Sequence, residues 1–213
     1  MKFENLIANI PQEITDLLET LQARSQGYDV YIGGGCLADL YKDIKDGMVK
    51  YYQPKDIDVF FTPKQDATLL ELPTIARSYI NYDMNSEEIA PDMKARGVTT
   101  LRGLFVPSLT VTTDVQFIVY GKPMTQEEIA ADMDCNVNQV MYSNGRWYHT
   151  DAFEDGHDKG VIKMLHHFDE KRMAKRLFRM KEKFNYDVDT DIDLSYYEYL
   201  KDKPERGGSF CEE

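Results

Sequence analysis

Three kinds of residue or pattern are scarce in this sequence, and each scarcity excludes something. Its 213 residues hold only three cysteines, Cys36, Cys135 and Cys211. They are odd in number, far apart and without metal-knuckle spacing, which argues against a disulfide framework or a zinc site and for reduced cytosolic thiols. No apolar run reaches the roughly 20 residues of a membrane helix, and the opening MKFENLIANIPQEI lacks the charged-then-apolar order of a secretory signal. Positive charge is also short, with 25 Lys and Arg against 37 Asp and Glu, a net charge of −12. Coating nucleic acid needs clustered cations, so that class is disfavoured while a local basic patch is not. Hydrophobic residues make up 42% and aromatic residues 12%, enough to bury a core. The expectation is a cytoplasmic protein of one domain, or one domain with a short appendage, with no membrane partner and no internal repeat.

The hydrophobic pattern predicts mixed structure. PQEITDLLETLQARSQGYD puts Ile14, Leu17, Leu18 and Leu21 at helical spacing between Pro11 and Gly27. DVYIGG reads as a short buried strand, and CLADLYKDIKDG as a helix that opens at the glycines and stops at Gly47. KDIDVFF reads as a strand with Ile57, Val59 and Phe61 on one face and Asp56, Asp58 and Phe60 on the other. DATLLELPTIARSYINY reads as a helix broken at Pro73, and residues 83–97 as an irregular insert. GVTTLRGLFV and LTVTTDVQFIVY read as a hairpin joined through Pro107-Ser108. Thr125 is a candidate helix cap, and Asn144-Gly145 between apolar-aromatic runs signals a two-residue hairpin. DEKRMAKRLFRMKEKFNY reads as a basic amphipathic helix, followed by a frayed tail. The fold class is α+β, a small mixed sheet flanked by helices with a helical C-terminal extension.

Two features of this pattern are costly to the fold. Asp56 and Asp58, two apart on a strand, present two carboxylates on one face, where they repel and one pKa should rise. A divalent cation with oxygen ligands, Mg²⁺ above all, relieves the repulsion. Asp114 lies mid-strand in TTDVQFIVY and supplies a third carboxylate if its strand pairs beside residues 56–61. Three acids on adjacent strands suit a two-ion site, with Asp56, Asp58 and Asp114 as metal ligands and catalytic residues. Just upstream, Gly33, Gly34 and Gly35 allow close backbone approach and open a helix whose N–H groups attract anions. Both costs are explained together if a nucleoside triphosphate's phosphates sit between the glycines and the aspartates.

These residues carry a resemblance. YIGGGCLADLYKD with KDIDVFF after it resembles the Gly-Gly and Asp-x-Asp signature of the DNA polymerase β-like nucleotidyltransferases. It is most similar to the head domain of bacterial tRNA CCA-adding enzymes and poly(A) polymerases. Gly34, Gly35 and Asp39 match, with Ala38 where that family has an arginine. DMDCNVNQVMYSNGRWYHTDAFEDGHDKGVIKML is similar to the family stretch that begins Arg-Arg-Asp-Phe-Thr-Ile-Asn-Ala and runs through a hairpin to an Asp, a Gly-x-x-Asp and a closing Ile-Arg. Asp134 and Asn138 match, Asp132 and Met133 replace the two arginines, and Asp151, Gly156 and Ile162 keep the register. DEKRMAKRLFRMKEKFNYDVD resembles the Glu-Asp-x-x-Arg segment, with Arg176 and Arg179 on matching positions and Met173 in place of an arginine.

The resemblance spans about residues 28–190, though residues 63–110 match poorly. It implies a head domain over residues 1–165 and a basic neck-like helix with an acidic tail over residues 166–213, as one compact unit. By analogy it implies a minimal form, similar to stand-alone phage or mobile-element nucleotidyltransferases. It implies Mg²⁺-dependent transfer of a nucleoside monophosphate from ATP or CTP to an acceptor hydroxyl, an RNA or tRNA 3′ end above others. Gly34, Gly35, Asp39, Asp134, Asn138, Arg176 and Arg179 would bind the nucleotide. Two other readings stay open: a catalytically inactive nucleotide-binding or protein-interaction module on the same fold, and nucleotidyl transfer to a protein or small molecule. Lys171, Arg172, Lys175, Lys181 and Lys183, with Lys159 and Lys163 before them, read as a solvated face. Trp147 and Tyr142 read as cross-strand packing, and Cys36 as a buried filler.

Overall fold

The computed structural model describes residues 10–48, 54–65, 99–108, 111–166 and 169–201. The first half runs α1 (Gln12–Arg24), β1 (Tyr28–Gly33), α2 (Gly35–Lys45), β2 (Asp56–Pro63), β3 (Thr99–Ser108) and β4 (Val111–Val119). The second half runs α3 (Gln126–Ala131), a 3-10 turn (Asn136–Asn138), β5 (Val140–Ser143), β6 (Arg146–His149), α4 (Asp151–Lys159), β7 (Val161–Ile162), α5 (Glu170–Phe184), β8 (Asp187–Val188) and α6 (Ser195–Lys201).

Among the described residues, six strands form one mixed sheet in the order β3-β4-β2-β1-β5-β6, and β7 and β8 form a separate parallel pair. Within the large sheet only β2 and β4 are parallel; β1–β2, β1–β5, β3–β4 and β5–β6 are antiparallel. A parallel pair cannot be closed by a tight turn. Residues 64–98 and β3 lie between β2 and β4 in the sequence.

The alternation read in KDIDVFF sorts the sheet into two faces. Ile57, Val59 and Phe61 pack with Val30, Ile32, Val115 and Phe117 in the main core. Phe60 packs on the opposite face with Ile118 and Met141, under Ile129 and Ala130 of α3. A complete capping box starts α3: Thr125 accepts from the Glu128 amide, and Glu128 accepts from the Thr125 amide. The β5–β6 hairpin turns on Asn144 and Gly145, both left-handed at φ 49° and 74°, as this dipeptide favours.

The main core also takes in the apolar face of α5. Leu177, Met180 and Phe184 are buried in the same cluster as the sheet and α2. Each such burial is worth roughly 1.5–3 kcal/mol, so this basic helix is held on the body rather than projecting from it.

Two readings need correcting or extending. β3 runs through Pro107 and Ser108 rather than ending before them, with a register irregularity between Phe105 and Ser108. Proline has no N–H for the ladder, so pairing breaks there without ending the strand. The β7–β8 pair and α6 go beyond the sequence pattern, because two-residue strands carry no readable period. The helix expected over residues 66–82, the insert over 83–97 and the C-terminal tail lie outside the described residues. Among the described residues, no helix is long and apolar enough to cross a membrane.

Candidate active site

Gly34 joins the two halves of the site. It is the N-cap of α2 with φ 72° and ψ −141°, a conformation open to glycine but strained for other residues. A Cβ placed on it would stand 3.0 Å from Oδ2 of Asp58. The backbone approach that the glycines permit is therefore directed at a carboxylate. The Gly34 N–H donates to the Val140 carbonyl at 3.0 Å, and Gly33 is the register partner of Asp58. These bonds fix the turn against both neighbouring strands.

The sheet register brings the three predicted acids together. Asp114 is the partner of Asp56 across the parallel β2–β4 pair, on strands about 4.8 Å apart. Asp56 and Asp58 share a face by alternation, and direct partners point the same way, so all three lie on one face. Along β2 that face runs Asp56, Asp58, Phe60, and along β4 it runs Asp114, Gln116, Ile118. The apolar end is covered by α3 and the acidic end is left open, with Asp56 and Asp114 exposed and Asp58 half-buried.

Burial pushes the Asp58 carboxyl up to about 7, and the Asp56 charge adds to this; Arg176 and Lys183 pull it down. As the side chains stand, no three acidic, histidine or cysteine groups among the described residues gather closely enough to hold an ion. The chemistry of the set still suits one. It is all carboxylate oxygen, the ligand type of a hard cation, and its central member is destabilised by burial and a like charge.

The cations come from α5. At 100° per residue, Arg172, Arg176, Arg179 and Lys183 fall within roughly 60° of one another around the helix, beside its buried face. Arg176 grips Asp134 in a two-pronged pair, with Nη2 donating to Oδ1 at 2.8 Å and Nε meeting Oδ2. Lys183 Nζ lies 2.7 Å from Oδ2 of Asp39. Arg179, between them on the stripe, is exposed and has no ion-pair partner among the described residues.

The remaining predicted residues divide. Asn138, in the 3-10 turn, is 4% exposed, and its buried Oδ1 has no hydrogen-bond partner among the described residues. Lys159 and Lys163 pair with Asp155 and Asp189 and stay outside the site. Trp147 packs on Tyr142 with centroids 5.5 Å apart, and Cys36 is buried with its Sγ on the Gly33 carbonyl. Two clefts of about 420 and 410 Å³ lie elsewhere, the first between Tyr31 and α3, the second between α4 and β8. Lys183, read in the sequence as part of a solvated face, pairs with Asp39 beside the glycine turn. It lies seven residues after Arg176, two helical turns along the same stripe.

The sequence matches no family model and no curated protein. Solved structures do match. An apo tRNA-processing enzyme aligns at 20% identity and TM-score 0.55, over 92% of this chain and 50% of that one. The Thermotoga maritima CCA-adding enzyme complexed with tRNA aligns at 14% identity and TM-score 0.59, over 90% of this chain and 43% of that one. The fold is that of a nucleotidyltransferase head. A CCA-adding enzyme in complex with ATP aligns at 14% identity and TM-score 0.55, over 94% of this chain and 45% of that one. At these identities the likeness is one of fold, and the chain spans about half the length of the structures it matches. In this chain, the glycine turn and the Asp56–Asp114 pairing lie side by side at one end of the sheet.

Proposed function

We propose that this chain is a Mg²⁺-dependent nucleotidyltransferase that moves a nucleoside monophosphate from ATP or CTP to an acceptor hydroxyl, with an RNA 3′ end, as in tRNA, the favoured acceptor. The observation that carries this reading is the register pairing of Asp56 with Asp114, beside a glycine turn that faces Asp58. Structures of this fold that hold tRNA or ATP support the choice of partners.

Asp56, Asp58 and Asp114 would hold the Mg²⁺ ions. When bound, the ions supply charge neutralisation for the phosphates and a lowered pKa for the attacking hydroxyl. The chain's own residues do the positioning. Gly34 and Gly35 admit the phosphates to the N-terminus of α2, where backbone N–H groups and the helix dipole favour negative charge. Arg179, free of any described carboxylate, meets phosphate charge. Asn138 is buried beside the site in the 3-10 turn, and the resemblance alone assigns it to the nucleotide. Arg176, held by Asp134, keeps α5 in place over the site. In the transfer step the acceptor oxygen bonds to the α-phosphorus as the α–β phosphoanhydride breaks. Pyrophosphate leaves, and Asp114 receives the hydroxyl proton. The work is mostly orientation and electrostatics.

The test is label transfer from each α-labelled NTP with Mg²⁺, using total tRNA, cell extract or no acceptor, beside Asp58→Ala. Label on RNA that disappears in the variant is the expected result and identifies the base. Label on protein redirects the acceptor. Full activity in Asp58→Ala, or no label and no NTP binding by the wild-type chain, overturns the assignment and leaves a module that works through contacts alone.

A further inference from the structure

The glycine turn has no cation of its own. The first turn of α2 is Gly35, Cys36, Leu37 and Ala38, its first basic residue is Lys42, and Ala38 is 0% exposed. The cation at the turn arrives from α5. Lys183 Nζ sits 2.7 Å from Asp39 Oδ2, and a Cβ on Gly35 would stand 3.4 Å from that same Nζ. Its charge reaches Asp58, whose carboxyl it stabilises in the ionised form. The backbone beneath it is rigid, because Phe184, the next residue, is 1% exposed in the main core. The side chain itself remains about one-third exposed, open to a ligand entering over the turn.

An ion pair this exposed contributes little to stability by itself. Its geometry has a second use. Asp39 holds the ammonium at the mouth of the α2 N-terminus, with donors to spare, since a lysine ammonium has three and a single carboxylate does not fill them. A triphosphate brings several negative charges to that point and competes with one carboxylate on favourable terms.

We propose that Lys183 is a triphosphate-binding residue of the glycine turn, parked on Asp39 and passed to the nucleotide's outer phosphates on binding. The inference rests on the nucleotidyltransferase reading and adds to it a residue delivered from a distant helix.

The test is calorimetric titration of the full chain with inorganic triphosphate, which has neither base nor sugar, in Mg²⁺ and over a series of salt concentrations. Lys183→Met keeps the aliphatic stem and removes the charge; Lys183→Arg keeps the charge. The expected result is at least tenfold weaker triphosphate binding by Lys183→Met, a shallower salt dependence, and a ligand-free melting midpoint close to wild type, with most affinity kept by Lys183→Arg. Unchanged triphosphate affinity and salt slope in Lys183→Met overturn the proposal and leave the pair structural. So does a lowered melting midpoint with unchanged affinity. Should the wild-type chain transfer label while Lys183→Met binds normally, only Lys183 is wrongly assigned. Should the wild-type chain bind no triphosphate and transfer no label, both readings fall.

Discussion

Asp114 of β4 stands directly opposite Asp56 of β2 on the neighbouring parallel strand, so two carboxylates far apart in the chain share one sheet face. Among the described residues, neither carboxylate has an ion-pair partner. Both are exposed, and like charges set side by side destabilise a sheet.

Asp56→Ala and Asp114→Ala should therefore each cut nucleotidyl transfer by roughly 100-fold or more, the effect of losing several kcal/mol of charge stabilisation. Neither should lower the melting midpoint. Measured rates within a fewfold of wild type for Asp114→Ala would show that the pairing is not part of the site.

Asp58 offers a trade between activity and stability. Its carboxyl is raised to about 7 by burial and by Asp56, so the ionised form carries a penalty in the folded state. That penalty is absent in acid and grows as pH rises through the ordinary carboxylate range towards neutrality. In metal-free protein at pH 8, Asp58→Asn should be more stable than wild type by roughly 1–2 kcal/mol, the partial exposure of the site holding the gain down. Urea unfolding in chelator measures it. A destabilised variant would mean that the carboxylate is satisfied by partners other than Arg176 and Lys183.

Gly156 should tolerate no side chain. A Cβ there would stand 2.3 Å from Nδ2 of Asn136 and 3.2 Å from Cγ1 of Val137. Asn136 cannot retreat cheaply. Its Nδ2 donates to the Val161 carbonyl at 3.0 Å and its Oδ1 accepts from the Lys163 amide at 2.8 Å. Gly156→Ala gains about 1 kcal/mol of helix propensity but overpacks this contact, and the net should be a loss of roughly 2 kcal/mol. A rise in the chemical-denaturation midpoint would refute the packing argument.

His157 should make the fold acid-sensitive. It is 1% exposed among Tyr41, Phe153, Phe184 and Tyr186. Its Nε2–H donates to the Val137 carbonyl at 3.0 Å, and its Nδ1 accepts from the Tyr186 hydroxyl at 3.1 Å, which is the neutral tautomer. Burial pushes the imidazole down to about 4. The unfolded chain takes up this proton near 6.5, so between these values it binds more protons than the folded one. Stability from this group is fully present above about pH 6.5 and falls as pH drops towards 4, by up to about 3 kcal/mol. His157→Gln should flatten the slope in that window. An identical pH profile in the variant would remove His157 as its cause.

The strands and helices were legible where local rules dominate. Ile57, Val59 and Phe61 alternate because a strand has a period of two, and Asn144-Gly145 turns because both residues accept positive φ. The basic stripe of α5 was visible as a run of cations, but not as a stripe with an address. Arg176 and Lys183 look alike in the sequence, yet one meets Asp134 and the other Asp39. Lys163, as basic as either, pairs with Asp189 well outside the site.

What the sequence determined by itself was the pair of costs, a glycine turn before a helix and two aspartates on one strand face, because both come from backbone geometry over a few residues. What only the tertiary structure decided was who joins them. The β2–β4 register brought in Asp114, and the packing of Leu177, Met180 and Phe184 set the rotation of α5 that delivers Lys183 to Asp39. Register and helix rotation depend on contacts between segments distant in the chain, and no local pattern encodes a distance across the fold.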